Sequence, residues 1–177
     1  GGSSLAQVYG AVGDVAPDVD NAAQLKHFFN TIQQLNKAGK ISAYHDRSDG
    51  GLFTTLVEMT FAGHCGLTVD ISSLQGDAAS ALYNEELGAV IQVAAAEAEA
   101  IVKQFNGLAS IVGEAVAGNQ IEIKQHGKVV FSDTRVNLHR MWSETTYQMQ
   151  KLRDNPACAQ QEYDPFLMKA TEVYLQS

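Results

Sequence analysis

The chain has 177 residues, 45% hydrophobic and 18% charged, and its 12 Lys and Arg against 20 Asp and Glu give a formal net charge of −8. That is the composition of a globular domain with a real core, not of a disordered chain. The acidic balance argues against nucleic-acid binding, which needs a basic stripe, and without a run of 18 apolar residues no membrane-spanning helix is expected.

The N-terminus, GGSSLAQVYG, has no initiator Met, basic n-region or apolar h-region, and is expected to be a processed end or a piece of a longer chain. Residues 1–19 read as loop, with a turn at Ala16-Pro17-Asp18. Asp20 or Asn21 can cap a helix whose apolar positions are Leu25, Phe28, Phe29, Ile32 and Leu35, stopped at Gly39. Ile41–Tyr44 is a short strand. It is followed by the crowded turn YHDRSDGG, Tyr44 to Gly51, and by a second helix carrying Leu52, Leu56, Met59 and Phe61 as far as Gly63.

Gly66–Ile71 alternates as a strand does, and Asp77 opens a short helix to about Tyr83. The continuous apolar run GAVIQVA, Gly88 to Ala94, predicts a central strand covered on both faces. Residues 95–105 favour helix by propensity, and Ala109–Val116 favours strand. Turn signals at Gly118-Asn119 and His126-Gly127 bracket QIEIKQ and KVVFS as a hairpin. Ser132 or Asp133 caps a long helix to about Arg153, whose stripe of Leu138, Met141, Trp142 and Met149 is expected in the core. Asn155-Pro156 ends it. The expected class is α+β, a mixed sheet flanked by helices, with one domain over 1–155 and a tail or linker over 156–177.

Chemistry is most concentrated in the turn. A strand leads in and a helix leads out, which is where ligands of α/β sheets tend to bind. Asp46 and Asp49 could hold a hard cation such as Mg²⁺, and N–H groups at the new helix start could hold an anion. On spacing alone, a simple cap by Asp49 or Ser48 is the commoner outcome. His45 reads as an ordinary strand-edge imidazole. In GHCG, the second Gly comes one residue too early for a nucleophile elbow, so Cys65 reads as packed and inert. Cys158 has no visible base, and two cysteines make neither a disulfide framework nor a metal quartet. Reduced thiols suit the cytoplasm. The acids of NEELG, Asn84 to Gly88, read as a charged strand entry, and GGSS is a weak phosphate signal.

Four segments, AYHDRSDGGL, EMTFAGHCGL, NEELGAVIQV and WSETTYQMQKLRDNPAC, together resemble one region of the large bacterial phosphoribosylformylglycinamidine synthases, within the aminoimidazole ribonucleotide synthetase superfamily. The resemblance covers about residues 1–158. It implies an ATP- and glutamine-dependent ligase of purine biosynthesis, with this chain as the C-terminal half of the second synthetase-like unit. That unit is implied to hold a retained ATP or ADP with Mg²⁺, with Asp46 as a metal ligand and Ser48 on the nucleotide. The implied partners are the N-terminal synthetase half, which supplies the other metal ligands, and the glutaminase domain. The isolated domain is expected to be inactive, with no catalytic residue of its own, and to self-associate. Two other readings are a non-catalytic packing module and half of a selenophosphate or thiamine-phosphate kinase relative.

Overall fold

The structure, a computed structural model, describes residues 1–15 and 18–164. Part of the turn expected at Ala16-Pro17 and the end of the expected tail, 165–177, lie outside the described residues. The class is α+β, and the chain forms two compact units: residues 1–59 with 70–112, and residues 60–69 with 113–177.

In the first unit, residues expected as loop form a short helix, α1 (Ser4–Val8), capped by the Ser3 hydroxyl. It buries none of its residues, so no hydrophobic period marks it. Helix α2 (Ala22–Lys37) begins where Asn21 accepts from the N–H groups of Ala23 and Gln24. It ends in a Schellman motif, with Gly39 at φ 65° and the Lys40 N–H on the Leu35 carbonyl. Strand β1 (Ala43–Asp46) pairs antiparallel with β3 (Ala89–Gln92), Asp46 facing Ala89 and Tyr44 facing Ile91. These two strands form a sheet of their own. The central, doubly covered strand expected at 88–94 is therefore corrected: among the described residues β3 has a single partner, its Gln92 is exposed, and its apolar residues are half-buried.

Helix α3 (Gly51–Gly63) follows the crowded turn, and α4 (Ala78–Tyr83) starts where the Asp77 carboxylate accepts from the Ser80 N–H. The helix expected over 95–105 is a 3₁₀ turn at Ala95–Glu97 running into α5 (Ala98–Gln104). The core of this unit joins Ile32 and Leu35 of α2 to Ile101 and Phe105 at α5, with Phe28, Ile41, Ile91 and Val93 packed against them. Leu25 and Phe29, expected on the buried face of α2, are exposed.

The second unit carries a four-stranded sheet of order β4-β2-β5-β6, built from β4 (Gly113–Val116), β2 (Gly66–Asp70), β5 (Gln120–Gln125) and β6 (Lys128–Thr134). The β5–β6 hairpin turns through His126 at φ 50° and Gly127 at φ 75°, the double left-handed pair that matches strand twist. Ile121 and Ile123 of β5 are fully buried. Helix α6 (Arg135–Arg153) is capped by Thr134, not by Ser132 or Asp133. Residues 156–163 of the expected tail form helix α7 (Pro156–Tyr163), where the Tyr163 ring stacks on Tyr147 at 4.2 Å between centroids.

The expected core stripe of α6 is also corrected. Leu138 is buried, but Met141, Trp142 and Met149 are exposed, as is the neighbouring Leu152. One apolar face of a helix becomes core only where it is covered: Leu138 is, while Trp142 meets the Phe61 ring edge-on at 6.0 Å between centroids and stays exposed on its other side. Truncating Ile123 to Ala should cost about 2–5 kcal/mol in chemical denaturation, whereas Leu152→Ala, at a position 90% exposed, should stay within about 0.5 kcal/mol of the parent chain.

Candidate functional site

Strand alternation sets the faces of the turn. Tyr44, Asp46 and Ser48 are exposed, while His45 and Arg47 are half-buried on the opposite side. Burial first, and then the Asp46 carboxylate, raises the pKa of the Tyr44 phenol, as expected of two side chains two residues apart on one strand face. Asp46 and Ser48, the two residues expected to hold metal and nucleotide, thus share one open face. Among the described residues neither carboxylate oxygen of Asp46 is engaged in a hydrogen bond or an ion pair. Asp49 is exposed beside them.

The opposite side of the turn is fastened to the loop before β3. The Arg47 N–H donates to the Gly88 carbonyl at 2.8 Å. Its guanidinium donates through Nε to the Glu86 carbonyl at 2.6 Å and through Nη2 to the Leu87 carbonyl at 3.2 Å. Desolvation lowers the Arg47 pKa, and Glu86 opposes it, yet the guanidinium is worth half-burying because it satisfies carbonyls that a tight loop leaves over. His45 is more than a bare strand-edge imidazole. Its Nδ1 donates to the Asp46 carbonyl at 2.8 Å, and its Nε2 lies 2.7 Å from Glu58 Oε2 on α3. The Thr55 hydroxyl reaches the same Asp46 carbonyl at 3.3 Å and the Gly51 carbonyl at 3.0 Å. The main chain of Asp46 is held from α3 while its carboxylate faces out.

Two glycines make the close approach feasible. Gly50 and Gly51 lie at φ 80° and 66°, in the left-handed region. A Cβ on Gly51 would come within 2.6 Å of the Asn84 carbonyl oxygen and 2.7 Å of that of Leu82, and one on Gly50 would strike the Thr54 hydroxyl at 2.0 Å.

The expectation that the head of α3 offers N–H groups to an anion is corrected in one particular. Glu85 Oε1 already accepts the Gly50 N–H at 2.8 Å, together with the Ser4 N–H at 2.8 Å. Desolvation pushes the Glu85 pKa up, but these two N–H groups and the Ser4 hydroxyl outweigh it and hold the pKa below its ordinary 4.5. Sequence reasoning took Glu85 for a charged strand entry. The signal was its place in NEELG, but only the folded loop brings it to the turn 35 residues away.

Elsewhere, Cys65 is half-buried and Cys158 exposed. No three His, Cys, Asp or Glu among the described residues are gathered to hold a metal ion, and no helix among them is long and apolar enough to cross a membrane.

Residues 1–126 match the family described as AIR synthase related protein, C-terminal domain. The chain belongs to this family. The matched residues include the turn, α3 and the NEELG loop, while α6 and α7 lie beyond them. Solved structures share the fold. Thermotoga maritima PurL complexed with FGAR aligns with a TM-score of 0.59 at 15% identity, over 64% of this chain and 20% of that one. Phosphoribosylformylglycinamidine synthase II from Thermotoga maritima aligns at 0.57 and 15% identity, over 62% and 20%. PurL from the same organism complexed with ADP aligns at 0.59 and 14% identity, over 67% and 22%. The chain spans about a fifth of the length of these proteins.

Gly51→Ala should destabilise by more than about 1 kcal/mol, since it combines left-handed strain with a backbone clash. Gly88→Ala, whose Cβ would meet only the Arg47 guanidinium at 3.3 Å, should cost less in the same melts. Because the folded-state pKa of Glu85 is depressed, its contribution is complete above the ordinary 4.5 and is lost as pH falls through the folded value. Glu85→Gln should flatten that acid limb when melting temperature is followed from neutral into acid solution.

Proposed function

We propose that this chain is the C-terminal half of the second synthetase-like unit of a phosphoribosylformylglycinamidine synthase, and that it supplies one wall of an auxiliary Mg-nucleotide site. The parent enzyme uses ATP and glutamine to convert formylglycinamide ribonucleotide to its amidine in purine biosynthesis, in the cytoplasm. The N-terminal synthetase half and the glutaminase domain are its partners. The observation that carries the reading is the shared exposed face of Asp46 and Ser48 on a turn whose other face is tied down. Family membership supports it, as do folds shared with PurL structures complexed with ATP, ADP and FGAR.

The donor set suits Mg²⁺. Asp46 offers a hard carboxylate with no partner among the described residues, and Mg²⁺ takes one or two carboxylates alongside phosphate oxygens and water. When bound, the ion neutralises phosphate charge. On the protein side, Asp46 contributes one ligand, and the Ser48 hydroxyl donates to the nucleotide. With one protein ligand and no gathered cluster among the described residues, the isolated chain binds Mg-nucleotide weakly. It carries out no catalysis, because the reacting groups must be placed together by several domains.

Amidine formation from the isolated chain with ammonia and ATP should be undetectable, and measurable turnover would contradict the assignment. In the complete synthase, Asp46→Asn should lower both the nucleotide carried through gel filtration and the melting temperature. A ligand bound only by the folded state contributes about 4 kcal/mol at a thousand times its dissociation constant. Unchanged nucleotide content and melting temperature would make Asp46 a solvated turn residue.

A further inference from the structure

The carboxylate at the head of α3 has a consequence for how the open face is built. Three main-chain groups of the turn are pinned by the segment from Leu82 to Gly88. Arg47 N–H is held by the Gly88 carbonyl, Gly50 N–H by Glu85 Oε1, and Gly51 by close approach to the Leu82 and Asn84 carbonyls. Ser48 sits between the first two of these points, and its own carbonyl accepts the Gly51 N–H at 2.9 Å. Of the three fastenings, Glu85 is the one made by a side chain of the loop. The same oxygen also holds Ser4 at the start of α1, so its position is fixed from two elements.

An N–H at a helix start attracts an anion. Here that anion is internal. A phosphate brought to the same N–H would meet a carboxylate already seated there, and like charges at contact repel. Phosphate is therefore kept from this N–H, and at Asp46, itself a carboxylate, only a cation-bridged phosphate is accommodated.

We propose that Glu85 is a positioning residue for nucleotide recognition: by holding the Gly50 N–H it fixes the direction in which the turn presents Ser48 and Asp46. This rests on the Mg-nucleotide reading above. Glu85 does not touch the ligand; it acts through the main chain of the turn. Glutamine can replace it, because an amide oxygen accepts the same two N–H groups. Alanine cannot.

The test uses the complete synthase stripped of nucleotide, with Mg-ADP as the titrated probe, and hydrogen exchange at the Gly50 amide of the 177-residue chain. Glu85→Ala should weaken Mg-ADP binding roughly tenfold or more, the scale of losing a hydrogen bond to a charged group. It should also speed exchange at Gly50. Glu85→Gln should stay within a few-fold of the parent in both measurements. Ile123→Val, in the core of the second unit, should lower the melting temperature without changing Mg-ADP affinity. Should Glu85→Ala not fold, Glu85→Asp, one methylene too short, takes its place with the same expected loss. Parent-like binding by Glu85→Ala beside lost binding by Asp46→Asn would overturn the positioning role alone. Parent-like binding by Asp46→Asn would overturn the site reading and the positioning role with it. Equal weakening by Ile123→Val, or Gln behaving as Ala, would reduce Glu85 to a general stabiliser.

Discussion

Gly51 lies against the carbonyls of Leu82 and Asn84 with no room for a Cβ. The rest of the site depends on that contact. Because the chain can approach so closely, the Gly50 N–H reaches Glu85, and Arg47 reaches the carbonyls of Glu86 and Leu87. A turn fastened along one side by main-chain bonds has few ways to move. Its free side can then hold side chains in a fixed direction without bonds of their own, and this is where Asp46 and Ser48 lie. The packing of α2 and α5 beneath the β1–β3 pair gives that turn a firm base, through Ile41 and Ile91 on Ile32, Leu35 and Phe105.

Much of the fold was legible because it rests on local rules. The Asn21 cap, the Gly39 stop, the Asp77 cap and the His126-Gly127 hairpin are each decided within a few residues, and each appears where expected. Asp46 and Ser48 were singled out by the family resemblance, not by strand period, since Ser48 lies beyond the end of β1. Apart from the α6 cap, which falls on Thr134, one residue past Asp133, the main misreadings are non-local. An apolar run at 88–94 cannot say how many neighbours it will have, and among the described residues β3 has one. The stripe on α6 cannot say how far Met141, Trp142 and Met149 will be covered, and all three stay exposed. Glu85 was read by its neighbours in sequence, whereas its role is set by Gly50 and Ser4, 35 and 81 residues away.

The chemistry of the turn also explains its density of charge. Several of its charged and polar groups have separate tasks. Arg47 satisfies loop carbonyls, His45 and Thr55 hold the Asp46 main chain, and Glu85 answers the helix start. That leaves Asp46, Ser48 and Asp49 turned outward, joined by Tyr44. The Asp46 carboxylate, outside every hydrogen bond and ion pair among the described residues, adds little to stability where it stands. Under the proposed assignment it is a metal ligand shared with other parts of a larger enzyme.

That central claim is tested most directly by locating the metal. Crystals of the complete synthase grown with nucleotide and Mn²⁺ in place of Mg²⁺ would show the ion by its anomalous scattering. The account predicts an ion bonded to an Asp46 carboxylate oxygen, at about the 2.0–2.1 Å typical of an Mg²⁺ site, with the Ser48 hydroxyl on the same nucleotide. An ion and nucleotide bound in the second synthetase-like unit with Asp46 facing only water would contradict it.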